Sequence, residues 1–287
     1  MATNRKQILL RILLFTLLVN GLAWLGPLLG GSPAEPGPGF LLWGIAPILA
    51  ALIMRYGLRD KVDMGWRLHL RGNIGLYLLS LLVHPLIIAG VTAIGLATGL
   101  IAFADGFTLA AFVGAMAPLA VIYFVFAIFE EVGWRGYLTP SVFRLNDRLL
   151  GYTVIGVIWA SWHFPYLREL WAHTDEGLIT LLPRFILGAV VFSVLYGEIR
   201  IRTRSVWPAV LMHWSGNTVA NTLLSGFAGG GFVILAPDAV WLSSYGLEGA
   251  LVMAVVALVG GAFYWRRVAA GVVNRPEQVA EEEAAGA

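Results

Sequence analysis

The sequence predicts an all-α fold: a polytopic membrane helix bundle of about eight transmembrane helices, with both termini cytoplasmic. Three observations carry this. Of the 287 residues, 59% are hydrophobic and only 13% charged, with a mean hydropathy of +0.79. Long apolar runs without charge recur along the chain, and the basic residues fall into alternate loops. A soluble domain carries about 25% charged residues, so water-soluble folds are set aside. The formal charge of +2 points to no nucleic-acid partner. The absence of cysteine removes disulfides, thiolate metal sites and cysteine nucleophiles.

Runs of about 17–25 apolar residues are long enough to span a bilayer. They fall at residues 8–29, 40–57, 73–101, 108–136, 150–168, 178–199, 205–226 and 247–266. The first follows Arg5 and Lys6; it is longer than a signal-peptide core, so a retained span is expected over a cleaved leader. Residues Gly31–Gly39 form a Pro/Gly turn after it. The third and fourth runs are long enough to tilt or kink, and Pro85 supplies a kink in the third. Residues 227–246, which include Gly229, Gly230 and Gly231, form an outer loop before the last span. The tail with Glu281, Glu282 and Glu283 among alanines is expected to be solvated.

Seventeen of the nineteen Lys and Arg residues lie in one set of loops, around Arg5, Arg59, Arg144, Arg202 and Arg266. Only Arg168 and Arg184 lie in the other set. Basic loops stay in the cytoplasm, which orients the bundle. Arginine outnumbers lysine 17 to 2, a bias of GC-rich prokaryotic genomes, so the expected location is a prokaryotic plasma membrane rather than an organelle membrane.

Ionisable groups inside the spans are few, and charge near hydrocarbon is costly enough to mark a task. Glu198 and Glu248 lie at span ends, where a carboxylate can reach water, and His84 beside Pro85 can bond a carbonyl freed by the kink. The remaining groups form three clusters. In Glu130-Glu131-Val-Gly-Trp-Arg135, helical spacing puts Arg135 on the face of Glu131 and leaves Glu130 about 100° away. Trp159 and His163 share a second face, and His213 and Asn217 a third. Two carboxylates, two imidazoles and a carboxamide on three spans supply a general base and oxyanion donors, the parts water-driven amide hydrolysis needs. They also suit a proton or cation site in a transporter or channel, and a non-catalytic immunity or scaffold protein is a third reading; no internal repeat favours transport.

These clusters resemble the CPBP family of CAAX prenyl proteases, abortive-infection proteins and bacteriocin-processing enzymes, whose motifs are E-E-x-x-x-R, F-x-x-x-H and H-x-x-x-N in that order. The resemblance covers about 120–226 and departs at Trp159, where the family has phenylalanine. It implies an intramembrane endopeptidase acting on a membrane-associated peptide or protein within the lipid bilayer. Glu130 would activate water with His163, His213 and Asn217 would stabilise the oxyanion, Glu131 and Arg135 would hold the site in shape, and Trp159 would stack in a substrate-binding role. The chain then divides into N-terminal spans (1–107), a catalytic four-helix core (108–226), an outer loop and last span (227–270) and a flexible tail (271–287). The prokaryotic bias points away from a prenylated substrate, and the substrate's identity stays open.

Two chemistries share these residues. In the preferred one no cofactor is required and Glu130 is the base; in the other, Glu130, His163 and His213 hold Zn²⁺ as in a metalloendopeptidase, although no H-E-x-x-H spacing is present. Aspartyl proteolysis is set aside because Asp60, Asp63, Asp105, Asp147, Asp175 and Asp238 fall in loops, and serine proteolysis because no Gly-x-Ser-Gly elbow exists. At 1.5 Å per residue, His163 lies about 18–20 Å and His213 about 12 Å above the cytoplasmic ends of their spans, against about 9 Å for Glu130 if its helix ends near residue 136; tilt, or a fourth helix extending to about residue 140, would narrow the gap.

Overall fold

The computed structural model describes residues 4–171, 174, 176–224 and 231–271. Asp175, Gly229, Gly230, Arg275 and the glutamate-rich tail lie outside the described residues. The architecture is an all-α membrane bundle. Six helices are long and apolar enough to cross a bilayer: Arg5–Leu29, Pro38–Gly57, Ile74–Thr98, Leu109–Phe143, Leu178–Thr203 and Ala250–Ala269. Two of the eight expected spans differ. Helix Leu149–His163 has only 15 residues, and Trp207–Leu224 carries His213, Asn217 and Asn221 in its 18. The first packs on Leu178–Thr203, and the second on Leu109–Glu131 and Ile74–Thr98; His213 is buried, and Asn217 and Asn221 are half-buried. The bundle's outer surface is apolar, with Leu28, Val121, Ile179 and Leu258 more than half exposed. That is the surface expected of a protein whose solvent is hydrocarbon.

Local chemistry sets the helix limits. Helix α1 (Arg5–Leu29) starts at Asn4, which forms a reciprocal capping box with Gln7. Helix α2 (Pro38–Leu52) opens on a proline after Gly37 and continues through a π-helical turn, Ile53–Gly57. The two pack as an antiparallel hairpin. Gly39 permits this, because a Cβ there would lie 1.9 Å from the Gly26 carbonyl. Helix α3 (Ile74–Thr98) contains Pro85 and ends at Gly99, whose φ of 74° only glycine adopts without strain. The next residues leave helical geometry: β1 (Ile101–Phe103) pairs antiparallel with β2 (Val233–Leu235), a short ribbon inside the stretches expected as span and loop.

Helix α4 (Leu109–Glu131) is capped by the Thr108 hydroxyl. It runs through a second π-helical turn, Val132–Leu138, into α5 (Thr139–Phe143), so the rod ends at residue 143 rather than 136. Glu130 therefore sits about 20 Å above the rod's end, level with the expected depth of His163. Helix α6 (Leu149–His163) passes through a 3₁₀ turn at Phe164–Tyr166 to α7 (Leu167–Leu170). Helices α8 (Leu178–Thr203), α9 (Trp207–Leu224) and α10 (Ala250–Ala269) complete the bundle. Asp238 lies in a single 3₁₀ turn, Pro237–Ala239.

Helix α4 packs on α2 and α9, α6 on α8, α8 on α10, and α3 on α9. Small residues let backbones meet: a Cβ on Gly156 would lie 2.5 Å from Val190 Cα, and one on Gly133 would lie 2.5 Å from Pro47 Cβ and 2.8 Å from its carbonyl oxygen. The α2–α6 contact is a reciprocal clasp. Trp43 Nε1 donates to the Trp162 carbonyl at 2.9 Å, Trp162 Nε1 donates to the Trp43 carbonyl at 3.1 Å, and the indoles stack at 4.1 Å and 6°.

Three buried polar residues differ from expectation. Glu198 does not reach water: it is fully buried and accepts from Tyr152 OH at 2.7 Å and Arg267 Nε at 2.9 Å. Glu248 is also fully buried, bound by Trp171 Nε1 and the Ser244 hydroxyl. In each case a neighbouring helix or loop supplies donors that replace water. His84 bonds Tyr196 OH at 3.2 Å and stacks on Phe192, rather than bonding a carbonyl freed at Pro85. Gly133→Ala tests the close packing beside the acidic motif. It should cost about 1–3 kcal/mol, read as a lower midpoint of thermal unfolding in detergent, whereas Gly114→Ala, which meets no neighbour within 4 Å, should leave the midpoint near wild type.

Candidate active site

Glu130 and Glu131 are the last residues of α4 before it widens into the π-helical turn. Such turns are rare and often occur at functional sites. Every residue of this one, Val132 to Leu138, is buried. Arg200 Nε donates to the Arg135 carbonyl inside it at 3.1 Å, and Arg200 Nη2 to the Asp63 carbonyl at 2.8 Å, so α8 fixes the turn and ties it to the loop after α2.

Glu131 is fully buried and its Oε1 holds two donors: Arg135 Nη1 at 3.1 Å and His213 Nδ1 at 2.7 Å. The Arg135 guanidinium lies over two ring faces, 4.4 Å from Trp159 and 4.3 Å from Tyr196. Its Nε and Nη2 have no hydrogen-bond acceptor among the described residues, and these rings cover it instead.

Glu130 is held differently. Two indole N–H groups converge on its Oε2, Trp134 Nε1 at 3.3 Å and Trp159 Nε1 at 3.1 Å. Its other oxygen, Oε1, faces His213 Nε2 at 3.5 Å. Donors thus pin one oxygen and leave the other beside an imidazole. His213, on α9, spans both acids: Nδ1 toward Glu131 and Nε2 toward Glu130.

His163 ends α6 in an aromatic enclosure, with the rings of Trp162, Phe185 and Trp171 centred 4.6, 5.1 and 5.7 Å away. Its Nδ1 donates to the Trp159 carbonyl at 3.0 Å, which leaves Nε2 as its acceptor. Trp159 is therefore shared: its side chain serves Glu130 and Arg135, and its carbonyl orients His163. Trp159 is buried, with both its N–H and one face engaged by the acidic motif. Asn217 is half-buried one turn beyond His213, and its carbonyl accepts from Asn221 Nδ2 at 2.9 Å. Its carboxamide makes no hydrogen bond to Glu130, Glu131 or His213 in this arrangement.

The structure thus brings Glu130, Glu131, Arg135, Trp159 and His213 into direct contact, joins His163 through Trp159, and leaves Asn217 on the adjacent turn. Among the described residues no three His, Asp or Glu side chains gather at metal-holding geometry. His213 Nδ1 is held by Glu131 and His163 Nδ1 by a carbonyl, which leaves Nε2 of each ring as the nitrogen that could meet a metal. Sequence reasoning missed Trp134, Tyr196 and Arg200 as supports of the site. Trp134 follows Glu130 by four residues, the spacing that linked Arg135 to Glu131, so helix arithmetic contains that pair. Tyr196 and Arg200 arrive from another helix, and no local pattern marks them.

Residues 112–219 match the family model described as type II CAAX prenyl endopeptidase Rce1-like. This segment contains all seven motif residues from Glu130 to Asn217. A stretch of 50 residues is 34% identical to the CAAX prenyl protease 2 of Methanococcus maripaludis; it covers 17% of this chain and 18% of that protein's length. Both matches support a CPBP-family protease.

Arg135 is the neutralising charge of this cluster. Removing one partner of a buried ion pair costs about 3–5 kcal/mol, because the other charge is left without compensation. Arg135→Met should lower the thermal midpoint accordingly, and Glu131→Gln added to Arg135→Met should recover part of the loss. Equal stability of Arg135→Met and the unmutated protein would show that Glu131 does not need its partner.

Proposed function

Taking the CPBP match over residues 112–219 as the starting point, we propose that the chain is an intramembrane endopeptidase that uses Glu130 as the base for water attack on a peptide bond. The observation that carries this reading is the unequal treatment of two adjacent carboxylates. Glu131 is locked to Arg135 and His213, while Glu130 keeps one oxygen turned toward His213 Nε2. A water beside Glu130 Oε1 would lose its proton to the carboxylate as its oxygen bonds to the scissile carbonyl carbon. The carbonyl oxygen becomes an oxyanion, which His213, protonated on both ring nitrogens, would meet through its Nε2–H, with Asn217 one turn away. The proton then passes to the leaving nitrogen as the C–N bond breaks. His163, with Nε2 free to accept, assists in orienting the water.

The substrate is a membrane-associated peptide or protein, since the site lies among helices that face lipid. The basic-loop pattern supports both termini in the cytoplasm, and the excess of arginine over lysine supports a prokaryotic plasma membrane.

Glu130→Gln preserves shape and removes the base. Its kcat on a membrane peptide should fall at least about 100-fold, with a thermal midpoint close to wild type; activity within about twofold of wild type would sink the mechanism. A chelator arm on the unmutated enzyme should leave kcat unchanged, and loss of activity restored by Zn²⁺ would replace this chemistry with the metal one.

Trp159 separates two roles. Trp159→Phe keeps a ring face for Arg135 but removes the N–H donor to Glu130. If the residue positions the base, kcat should drop about three- to tenfold while KM holds. A rise in KM at constant kcat would instead return Trp159 to substrate binding.

A further inference from the structure

The chain between α2 and α3 leaves regular structure and meets the C-terminal part of α8 and the first residue of α9. Trp207, the first residue of α9, donates its indole N–H to the Trp66 carbonyl at 2.8 Å, and Arg200 Nη2 donates to Asp63 O, so this loop is fastened to both helices. Between them lies a cavity of about 480 Å³ lined by Asp63, Gly65, Trp66, Arg67, His69 and Arg204. Nothing in the site above uses it.

Three observations bear on its occupant. The cavity's charge is cationic: Arg67, Arg204 and His69 face one carboxylate, and Asp63 Oδ1 already accepts the Gly65 N–H at 2.9 Å. The backbone is held in costly geometry there. Among the described residues three non-glycines have positive φ, and two of them, His69 at 47° and Arg204 at 52°, line this cavity. Finally, the lining segment alternates apolar and basic residues, Trp66-Arg67-Leu68-His69-Leu70-Arg71, and all six are exposed. Leu68 and Leu70 are 49% and 46% exposed, in the segment that joins the apolar helices Pro38–Gly57 and Ile74–Thr98.

A free cytosolic anion would need the bases but not the leucines. The headgroup boundary of a bilayer calls for both, with apolar groups toward acyl chains and arginines toward phosphate. We propose that this cavity binds the phosphate of an anionic glycerophospholipid, held by Arg67, His69 and Arg204, with Leu68 and Leu70 against its acyl chains. The site is independent of the proteolytic reading, because it is assayed by binding alone.

The test uses the full chain, stripped of lipid in detergent and titrated with phosphatidylglycerol or phosphatidylcholine while bound lipid is counted by native mass spectrometry. Phosphatidylglycerol should bind at least about tenfold more tightly than phosphatidylcholine. Arg67→Ala with Arg204→Ala should weaken it by at least about tenfold, while Arg266→Ala, an exposed charge on the last helix, should change it less than twofold. Arg67→Gln alone, at an exposed position, guards against misfolding of the double variant and should weaken binding about threefold. Equal binding of the two lipids, equal effects of the Arg266 and Arg67 variants, or displacement of phosphatidylglycerol by millimolar inorganic phosphate would each overturn the proposal.

Discussion

The structure depends on how two neighbouring carboxylates are kept inside a membrane protein. Each would be prohibitive alone in an apolar interior, and adjacent they also repel. The fold answers with a different solution for each. Glu131 receives Arg135 from the same helix and His213 from another, while Glu130 receives neutral donors from two tryptophans. Much of the surrounding architecture serves these contacts. The π-helical turn carries Arg135 and Trp134, Tyr196 covers Arg135, and Arg200 fastens the turn.

The contrast between charged and neutral donors is what sets the two acids apart. A carboxylate bound to guanidinium and imidazole is committed and acts as a fixed charge. One held on a single oxygen by indole N–H groups is oriented without being neutralised, and its second oxygen stays available. Tryptophan suits this use because it adds a donor without adding a charge, and its ring fills the space that water would take. Trp159 does more than either motif partner, since its carbonyl also sets the ring orientation of His163.

Much of this was legible in the sequence. Charge in apolar runs exposed the three clusters, and the four-residue spacing assigned Arg135 to Glu131, as the 3.1 Å contact bears out. The same arithmetic held Trp134 on Glu130, unread because an indole is taken first as packing. Other features were hidden for physical reasons. Nothing in Val-Gly-Trp-Arg-Gly-Tyr-Leu announces a π register, because its cost is repaid by tertiary contacts such as Arg200. Glu198 and Glu248 read as interfacial, since their donors Arg267 and Trp171 lie 69 and 77 residues away in the chain. The β1–β2 ribbon joins segments more than 130 residues apart, Ile101 opposite Leu235, and three-residue strands leave no periodic signal.

The reciprocal clasp between Trp43 and Trp162 reaches beyond the segment shared with relatives. Trp43 belongs to α2, outside residues 112–219, yet it stacks on the immediate neighbour of His163. The chemistry-bearing helices are consequently not a portable module. Excised from this chain, they would present one flank of the Trp162 indole and the Gly133 notch to acyl chains, with two main-chain partners lost together. Any graft of these helices into another bundle must bring along a surrogate for α2, which makes the leading hairpin an inseparable neighbour of the acidic motif rather than an accessory to it.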